Sequence, residues 1–316
     1  LDENEYAVDL VVAERKPEIV DSQGVVNTPK NIADIIVKTT LAPLFSDEKF
    51  TEWDSYRIAD ICCGSGNFLL SAYEFIINRY IEYYMKNCLD MAIQKGLLIS
   101  DVGNNFKLSY EKKREILQNN IWGVDIDILA VEVAKFSLLI KLIEDSSLYE
   151  MESFVKNNNC RILPSLDNNI KNGNSLVDEK YIEFNSNILN DPEMVEKIKI
   201  FNWENEFEGE KFDAIVGNPP YIRVQNMVHF SENEYEYYKS EVSKYETAKS
   251  DLLDKYFLFM EKGLQLLKPK GKMGYIIPHK FMLIKSGTSL RKLLSEKKYV
   301  KQIIHFGTEQ VFKGRS

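Results

Sequence analysis

The sequence predicts an α/β fold, in which a mostly parallel sheet carries helices on both faces. Short apolar runs rich in β-branched residues, such as 121–127 and 212–217, alternate with longer stretches of helical periodicity, such as 128–144. Several of these runs end in Asp or Gly, where a strand of a parallel sheet would give way to a loop. On this pattern, strands are expected at 57–62, 121–127, 170–176, 212–217, 274–278 and 300–306.

The composition limits the kinds of protein that the chain can be. Its 316 residues, 44% of them apolar, are enough for one large domain or two ordinary ones. No apolar run of about 18 residues and no signal peptide occurs, which predicts a soluble, cytoplasmic protein with no membrane partner. The first residue is Leu1 rather than Met, as expected of an excised fragment. No metal site is expected, because zinc-ligand spacing is absent among Cys62, Cys63, Cys88, Cys160, His229, His279 and His305.

Charge is distributed unevenly along the chain. The net charge is −8, but residues 262–316 contain 13 Lys and Arg against two Glu, which gives +11 and leaves −19 for residues 1–261. A basic region in an otherwise acidic chain indicates a surface that could bind a polyanion such as nucleic acid. The alternative, lysines scattered over ordinary solvated surface, is equally consistent with these numbers.

The tetrapeptide Asn218-Pro219-Pro220-Tyr221 follows the predicted strand 212–217 and is the most informative motif of the chain. Two consecutive prolines fix φ twice and restrict the residue before each, which keeps the loop extended and stiff. Such a loop can direct two acceptors, the Asn218 amide oxygen and the Pro219 carbonyl oxygen, to one side, with the Tyr221 ring beside them. This arrangement would receive a planar group that carries an NH2. The alternative is a loop that merely leaves a strand.

A glycine turn follows the first predicted strand. Asp60 stands near the end of that strand, and Gly64-Ser65-Gly66 leads into a helix. In this geometry backbone N–H groups can approach a ligand closely. The third glycine of the dinucleotide fingerprint is missing, which disfavours NAD.

An acidic residue, Asp125, stands near the end of the second predicted strand. A carboxylate there can accept hydrogen bonds from both hydroxyls of an unphosphorylated ribose, and Ile126 would lie against the adenine face. Asp127 is predicted to cap the helix 128–144. The apolar stripe of that helix is predicted to lie in the core; it consists of Leu129, Val133, Phe136, Leu139 and Ile140.

Two other polar positions are suggested by local pattern. Thr28 is predicted to cap a helix whose first residue is Pro29. Asn174 and Ser175 stand near the end of the run 170–176, next to an Asn-Gly-Asn sequence that an ordinary turn would also contain.

Taken together, these motifs resemble those of amino-methyltransferases that use S-adenosyl-L-methionine, whose signature is Asn-Pro-Pro-Tyr. The resemblance implies a Rossmann-like methyltransferase fold with a helical insertion between the first and second strands. It departs from the family pattern at Ile61 and Cys62, usually Pro-Ala, and at Asn174, often Asp. The catalytic residues that it implies are Asn218, Pro219, Pro220 and Tyr221. The cofactor-binding residues that it implies are Thr28, Pro29, Asp60, Cys62, Gly64, Ser65, Gly66, Phe68, Asp125, Ile126, Asn174, Ser175 and Asn218.

The order of the motifs, cofactor residues first and Asn-Pro-Pro-Tyr later, resembles the modification domain of single-chain type IIG restriction–modification enzymes. The implied reaction is site-specific methylation of N6 of an adenine flipped out of double-stranded DNA, by a monomeric enzyme. The implied domains are an N-terminal helical segment over 1–50 and a catalytic domain over 51–316, with a target-recognition domain and an antiparallel seventh strand expected beyond Ser316. Two alternatives stay open, a methyltransferase of protein glutamine amides and a non-catalytic cofactor-binding module.

Two segments allow more than one interpretation. Residues 78–120 read as a helical insertion, which would serve either as a clamp on the DNA backbone or as a packing helix pair. Residues 222–250 would form either a loop that becomes ordered over DNA or an amphipathic surface helix; their tyrosines are Tyr235, Tyr237, Tyr238 and Tyr245.

Overall fold

Nine strands form two sheets in the part of the chain that the structure describes. The structure is a computed structural model, and it describes residues 7–14, 28–100, 105–209, 211–222, 232–249 and 253–306. The strands are β1 (Ala7–Glu14), β2 (Ile58–Asp60), β3 (Leu98–Ser100), β4 (Phe106–Leu108), β5 (Ile121–Asp125), β6 (Ile170–Asn172), β7 (Phe212–Gly217), β8 (Leu267–Pro278) and β9 (Ile303–His305).

The larger sheet has seven strands in the order β6-β5-β2-β7-β8-β1-β9, and all neighbouring strands are parallel. The predicted α/β fold is therefore confirmed, and each of the six predicted strands occurs in it. β2 and β7 pair with each other near the middle of the sheet. The loops that follow these two strands consequently leave the sheet side by side, at its carboxyl edge.

β1 is a strand that the sequence analysis does not predict. It lies between β8 and β9, with Val11 opposite Tyr275 on one side and Ile303 on the other. Its sequence, Ala-Val-Asp-Leu-Val-Val-Ala-Glu, contains enough apolar residues for a strand. The partners that make it one are far along the chain, and a local pattern cannot show them.

The helices cover both faces of this sheet, as β8 shows. Gly274 approaches Thr40 of α1, whereas its neighbours Met273 and Tyr275 lie against Gly263 of α11. Successive residues of a strand point to opposite faces, so α1 and α11 are on opposite sides. The helices are α1 (Lys30–Leu41), α2 (Asn67–Asn87), α3 (Leu89–Gln94), α4 (Tyr110–Asn120), α5 (Ile128–Ile143), α6 (Leu148–Asn158), α7 (Lys180–Phe184), α8 (Pro192–Ile198), α9 (Trp203–Glu206), α10 (Glu232–Lys239), α11 (Lys255–Leu266) and α12 (Thr288–Glu296).

Four of the five residues in the apolar stripe predicted for α5 are not in the core, and the prediction is wrong for them; the fifth, Leu139, is partly buried and packs against the core. Leu129 is 73% exposed and Phe136 is 65% exposed, and Val133 and Ile140 are about half exposed. A second apolar stripe of the same helix is buried instead; it consists of Val131, Ala134, Leu138 and Leu142. We refer to Leu129, Val133, Phe136 and Ile140 as the outer face of α5.

The insertion at 78–120 is helical over most of its length, through the end of α2, α3 and α4. It also contains an antiparallel hairpin, β3–β4, which was not predicted. Tyr73 of α2 is buried and donates to the carbonyl of Lys113 in α4, at 2.9 Å, which joins the insertion to the domain. These contacts favour the packing interpretation for the helices.

Residues 232–239 form the helix α10, with one face buried and the other exposed, as the amphipathic-helix interpretation of this segment expects. Tyr237, Tyr238 and Tyr245 are buried, and each hydroxyl has a hydrogen-bond partner inside the protein. The Tyr245 hydroxyl, for example, donates to the carbonyl of Leu176 at 2.9 Å. These three tyrosines therefore belong to the core.

Candidate functional site

The residues singled out from the sequence meet at the carboxyl edge of the sheet, which we call the rim. β2 ends at Asp60, β5 ends at Asp125, and β7 ends at Gly217, directly before Asn218. These three strands lie close together in the order β5, β2, β7. The rim is therefore shared by the glycine turn, the acidic strand end and the Asn-Pro-Pro-Tyr loop.

The glycine turn is closed against the neighbouring strand β5. The backbone N–H of Gly64 donates to Asp125 Oδ2 at 2.8 Å. Gly64 has a φ of +51° and Gly66 a φ of +90°, both in the left-handed region that favours glycine. A Cβ at position 66 would also come within 3.0 Å of the Cβ of Ala134 in α5. The turn therefore depends on glycine for its conformation and for the close approach of α2 to α5.

Asp125 is held by backbone donors on both of its oxygens. Besides the bond from Gly64, Oδ1 accepts from the N–H of Asp127 at 2.9 Å. Burial raises the pKa of the Asp125 carboxyl, and these N–H groups act in the opposite direction. The next residue, Ile126, is 43% exposed, so an apolar surface stands beside an oriented carboxylate. Asp127 caps α5 through a bond to Leu129 N, as predicted.

Asp60 lies beneath the rim and is almost fully buried, with 1% of its surface exposed. Its Oδ1 accepts from the N–H of Cys62 at 3.0 Å, and a Cβ at position 217 would come within 2.7 Å of the same oxygen. Burial raises the pKa of Asp60 to about 7, and the nearby carboxylate of Asp125 acts in the same direction. Burial likewise raises the pKa of the Cys62 thiol, which disfavours its thiolate form.

Thr28 lies between the glycine turn and the Asn-Pro-Pro-Tyr loop and contacts both, but it does not cap α1 as predicted. The helix begins one residue later, at Lys30, and Pro29 occupies the cap position. The Thr28 hydroxyl instead accepts from Asn218 Nδ2 at 3.0 Å. Its carbonyl accepts from Asn67 Nδ2, in the residue after the glycine turn, at 3.4 Å. Thr28 thus contacts both the cofactor motif and the Asn-Pro-Pro-Tyr loop.

Asn218 is held by side chains. While its amide nitrogen contacts Thr28, its Oδ1 accepts from the Tyr221 hydroxyl at 2.5 Å. That hydroxyl also lies 2.9 Å from the carbonyl oxygen of Ile276 in β8. Tyr221 is only 6% exposed, and its ring meets that of Tyr256 edge-on at 6.1 Å. Stacking of a base on Tyr221 would therefore require this ring to turn outward.

The loop after β6 lies in contact with the loop after β2. Ser175 Oγ donates to the carbonyl of Ile61 at 2.6 Å, and Ser175 is buried. Asn174 is also buried; its Oδ1 accepts from the N–H of Leu176 at 3.1 Å, and its Nδ2 donates to Glu234 at 2.9 Å. The amide of Asn174 therefore makes a turn, and it also contacts a carboxylate from α10.

The remaining predicted cofactor residues differ in their exposure. Ser65 is exposed and Pro29 is half-buried, and both lie along the rim. Phe68, by contrast, is 3% exposed and belongs to the core cluster. Within the described residues, no group of three or more His, Cys, Asp or Glu side chains is arranged to hold a metal ion. In the same part of the chain, no helix has the length and apolar character needed to cross a bilayer.

Sequence reasoning missed four polar residues next to the site, namely Asn67, Glu234, Tyr238 and Lys255. Asn67 stands at a variable position of the glycine motif, and Glu234 and Tyr238 lie within a run of Glu and Tyr. Nothing local distinguishes them from surface residues. Asn67 contacts Thr28 and Glu234 contacts Asn174, and both bonds join segments that are well separated in the sequence.

The parallel sheet with helices on both faces, and the motifs along its rim, are consistent with a Rossmann-like α/β methyltransferase fold. The chain belongs to the Eco57I restriction-modification methylase family, whose sequence model matches residues 119–312. It is 38% identical over 303 residues to "Type II restriction enzyme and methyltransferase RM.Eco57I" of Escherichia coli, an alignment that covers 95% of this chain and 28% of that protein.

Two further similarities extend over most of the chain. "Adenine-specific methyltransferase PglX" of Streptomyces coelicolor is 25% identical over 303 residues, with 89% of this chain and 21% of that protein covered. The solved structure of a nuclease-deletion mutant of the Type ISP restriction-modification enzyme LlaGI, with a DNA substrate mimic, superposes with a TM-score of 0.52 at 16% identity; the match covers 86% of this chain and 20% of that one. The structural likeness concerns the fold. The chain spans less than a third of each of these proteins.

Proposed function

We propose that this chain is the catalytic part of a DNA methyltransferase that moves a methyl group from S-adenosyl-L-methionine to N6 of adenine. The single observation that supports this most is the position of Asn218. The loop that carries it leaves β7 beside the glycine turn, and Thr28 bridges the two. A planar amine at Asn218 would therefore be next to the part of the rim that suits the cofactor.

The residues present fit S-adenosyl-L-methionine. Asp125 offers an oriented carboxylate for the ribose hydroxyls, and the exposed Ile126 offers an apolar surface for the adenine. The positive φ of Gly64 and Gly66 lets the backbone approach a ligand closely between β2 and α2. When bound there, the cofactor supplies a sulfonium methyl group, which is already a strong electrophile.

The protein's own contribution is mainly orientation, which can supply several kcal/mol of the barrier. With the cofactor bound, the lone pair of the target amine would form the new C–N bond as the C–S bond breaks, and the electron pair of the C–S bond would go to sulfur. Asn218 Oδ1 and the Pro219 carbonyl accept from the NH2 group, which favours a pyramidal nitrogen and stabilises the positive charge that develops on it. Asn218 is neutral and takes no proton, so the proton leaves to solvent.

The target base must first leave the duplex, because the N6 amine is paired within it. Flipping costs roughly a few kcal/mol, which stacking on an aromatic ring partly offsets. Tyr221 is the aromatic residue of the motif, and its hydroxyl now occupies Asn218 Oδ1. When the base arrives, its N6 amine would therefore take the place of the Tyr221 hydroxyl at Asn218 Oδ1. The Tyr221 ring could then turn and stack on the base.

The family and the 38% identity to a combined restriction enzyme and methyltransferase favour a role in a restriction–modification system. Transfer of tritium from labelled cofactor, catalysed by the intact protein on duplex DNA, tests the reaction. Digestion of the product to deoxynucleosides should place the label in N6-methyldeoxyadenosine. Label in a methylated cytosine, or label only in an added protein substrate, would contradict the proposal.

A further inference from the structure

We call the part of the rim formed by the glycine turn, Asp125 and the loop after β6 the cofactor side, and the part formed by the Asn-Pro-Pro-Tyr loop the target side. A buried carboxylate lies behind the cofactor side. Glu234 of α10 is 5% exposed, and its Oε1 lies 2.9 Å from Asn174 Nδ2 and 3.0 Å from the Nζ of Lys255. The Tyr238 hydroxyl, one helical turn along, donates to the same oxygen. A buried carboxylate that accepts from three side-chain donors belongs to a satisfied polar network, which fixes the positions of all its members.

Glu234 is ionised in this network. Burial acts to raise the pKa of its carboxyl, but Lys255 and the donors from Tyr238 and Asn174 outweigh burial, so the pKa lies below its ordinary value. The side chains of Glu234 and Lys255 form an ion pair in which both are largely buried. The pair brings no net charge to the site, although it does bring a fixed anion next to Asn174.

This anion gives a physical reason for an amide at position 174. The resemblance noted above leads one to expect Asp there, but a second carboxylate about 3 Å from Glu234 could not stay ionised at the same time. An amide resolves the conflict because its NH2 donates to Glu234. The same bond fixes the orientation of the Asn174 amide: Nδ2 must face Glu234, so Oδ1 faces the N–H of Leu176.

We propose that Glu234 is a positioning residue for cofactor recognition, in that it orients the Asn174 amide so that Oδ1 can accept from the amino group of the cofactor's adenine. The inference rests on the proposed function, because it presumes that this part of the rim binds S-adenosyl-L-methionine. In this reading Asn174 and Glu234 together take the place of a single Asp.

Lys255 extends the network toward the target side. Its side chain pairs with Glu234, while its backbone N–H donates to the carbonyl of Ile222 at 2.7 Å. Ile222 directly follows Tyr221, so one residue of α11 contacts both the carboxylate behind Asn174 and the end of the Asn-Pro-Pro-Tyr loop. The orientation of Asn174 is thereby linked to the position of that loop.

Binding of S-adenosylhomocysteine to the intact protein, measured by calorimetry, tests this assignment. Asn174→Asp should weaken binding by about tenfold or more, because it places a second carboxylate against Glu234. Glu234→Gln should also weaken binding, because it removes the charge that orients the Asn174 amide. The loss should be smaller than for Asn174→Asp, because no second carboxylate is introduced. The double variant Asn174→Asp/Glu234→Gln should recover most of the lost affinity, because one carboxylate and one amide again face each other.

The pH dependence provides a readout that a general loss of structure would not move. In Asn174→Asp the two carboxyl groups share a proton more readily as the pH falls, so affinity should rise toward lower pH. The double variant has one carboxylate at this place and should lack that rise. A double variant that binds as weakly as Asn174→Asp, or that shows the same rise, would overturn the inference.

A matched control is available on α11. Glu261 is also 5% exposed, and its carboxylate accepts from the backbone and the hydroxyl of Thr247, away from Asn174. Glu261→Gln should lower the melting temperature without changing cofactor affinity, and an equal loss of affinity there would also overturn the inference. Failure of the wild-type protein to bind the cofactor would instead overturn the proposed function itself.

Discussion

The two halves of the rim hold their polar groups in different ways. On the cofactor side, the oxygens of Asp125 accept from backbone N–H groups of Gly64 and Asp127. On the target side, the amide of Asn218 contacts the hydroxyl groups of Thr28 and Tyr221. Backbone donors are fixed by the fold, whereas a hydroxyl group follows the rotation of its side chain. The first half is therefore formed before any ligand arrives, and the second half can exchange its partners.

This difference makes the two halves separable by mutation. Substitutions on the target side should change turnover or capture of DNA and leave cofactor binding intact. Substitutions on the cofactor side should change cofactor binding first. Thr28 and Asp60 lie against both halves. Substitutions of these two residues should therefore change cofactor binding and turnover together.

The largest effect is expected for Asn218→Ala. Loss of the amide removes the acceptor that orients the amine and stabilises its developing charge, so methyl transfer should fall by about a hundredfold or more. Cofactor affinity should stay within about threefold of wild type, since the cofactor side is held by other groups. Single-turnover transfer of tritium and calorimetry measure the two quantities. Substantial methylation by this variant would refute the catalytic role.

Asp125→Asn should produce the converse result. The hydrogen bonds that a charged carboxylate makes to ribose hydroxyls are worth about ten- to a hundredfold in affinity, and this variant weakens them. Asp127→Asn is the matched control, because it makes the same change of charge two residues away and keeps a good helix cap. If both variants bound cofactor equally well, Asp125 would not be a ribose ligand.

Tyr221→Ala should weaken capture of the flipped base. Stacking of a base on an aromatic ring is worth about 1–3 kcal/mol, so KM for duplex DNA should rise by roughly tenfold or more. Tyr221→Phe keeps the ring and loses the bond to Asn218, and its KM should stay closer to that of wild type. Unchanged steady-state kinetics of the alanine variant on duplex DNA would count against stacking.

The last effect is on stability rather than on function, and it concerns the buried carboxyl of Asp60 beneath both halves of the rim. The pKa of Asp60 is raised from 3.8 to about 7, so the folded state holds its proton more tightly than the unfolded state does. The stability that follows is complete below the unfolded pKa and is lost as the pH rises through about 7, at no more than about 1.4 kcal/mol per pH unit. Denaturant unfolding of the cofactor-free protein should therefore show wild type losing stability relative to Asp60→Asn between about pH 4 and about pH 7. A constant difference would contradict a raised pKa.

The sequence alone predicts the rim because strand ends and turns are local features. The run 212–217 and its following prolines are visible without any knowledge of the fold, and the same holds for Asp125 and the glycine turn. Once the strands are taken as parallel, their carboxyl ends must share one edge. The roles proposed for the individual residues stay predictions.

The parts that the sequence does not predict depend on distant partners. Thr28 faces Asn218 rather than its own helix, and Glu234 faces Asn174, across 190 and 60 positions of chain. The prediction of the buried stripe of α5 is wrong for a different reason. It is apolar around most of its circumference, so periodicity alone could not decide which stripe, that of Leu129 or that of Val131, would be buried.

The outer face of α5 has a consequence for the behaviour of the protein in solution. Four large apolar side chains in contact with water favour self-association, which excluded anions such as sulfate strengthen. Binding to a polyanion responds in the opposite direction, because it releases counterions and weakens as ionic strength rises. If the protein binds DNA as proposed, ammonium sulfate should promote clustering of the protein while it releases the protein from DNA, so that one titration tells the two kinds of association apart.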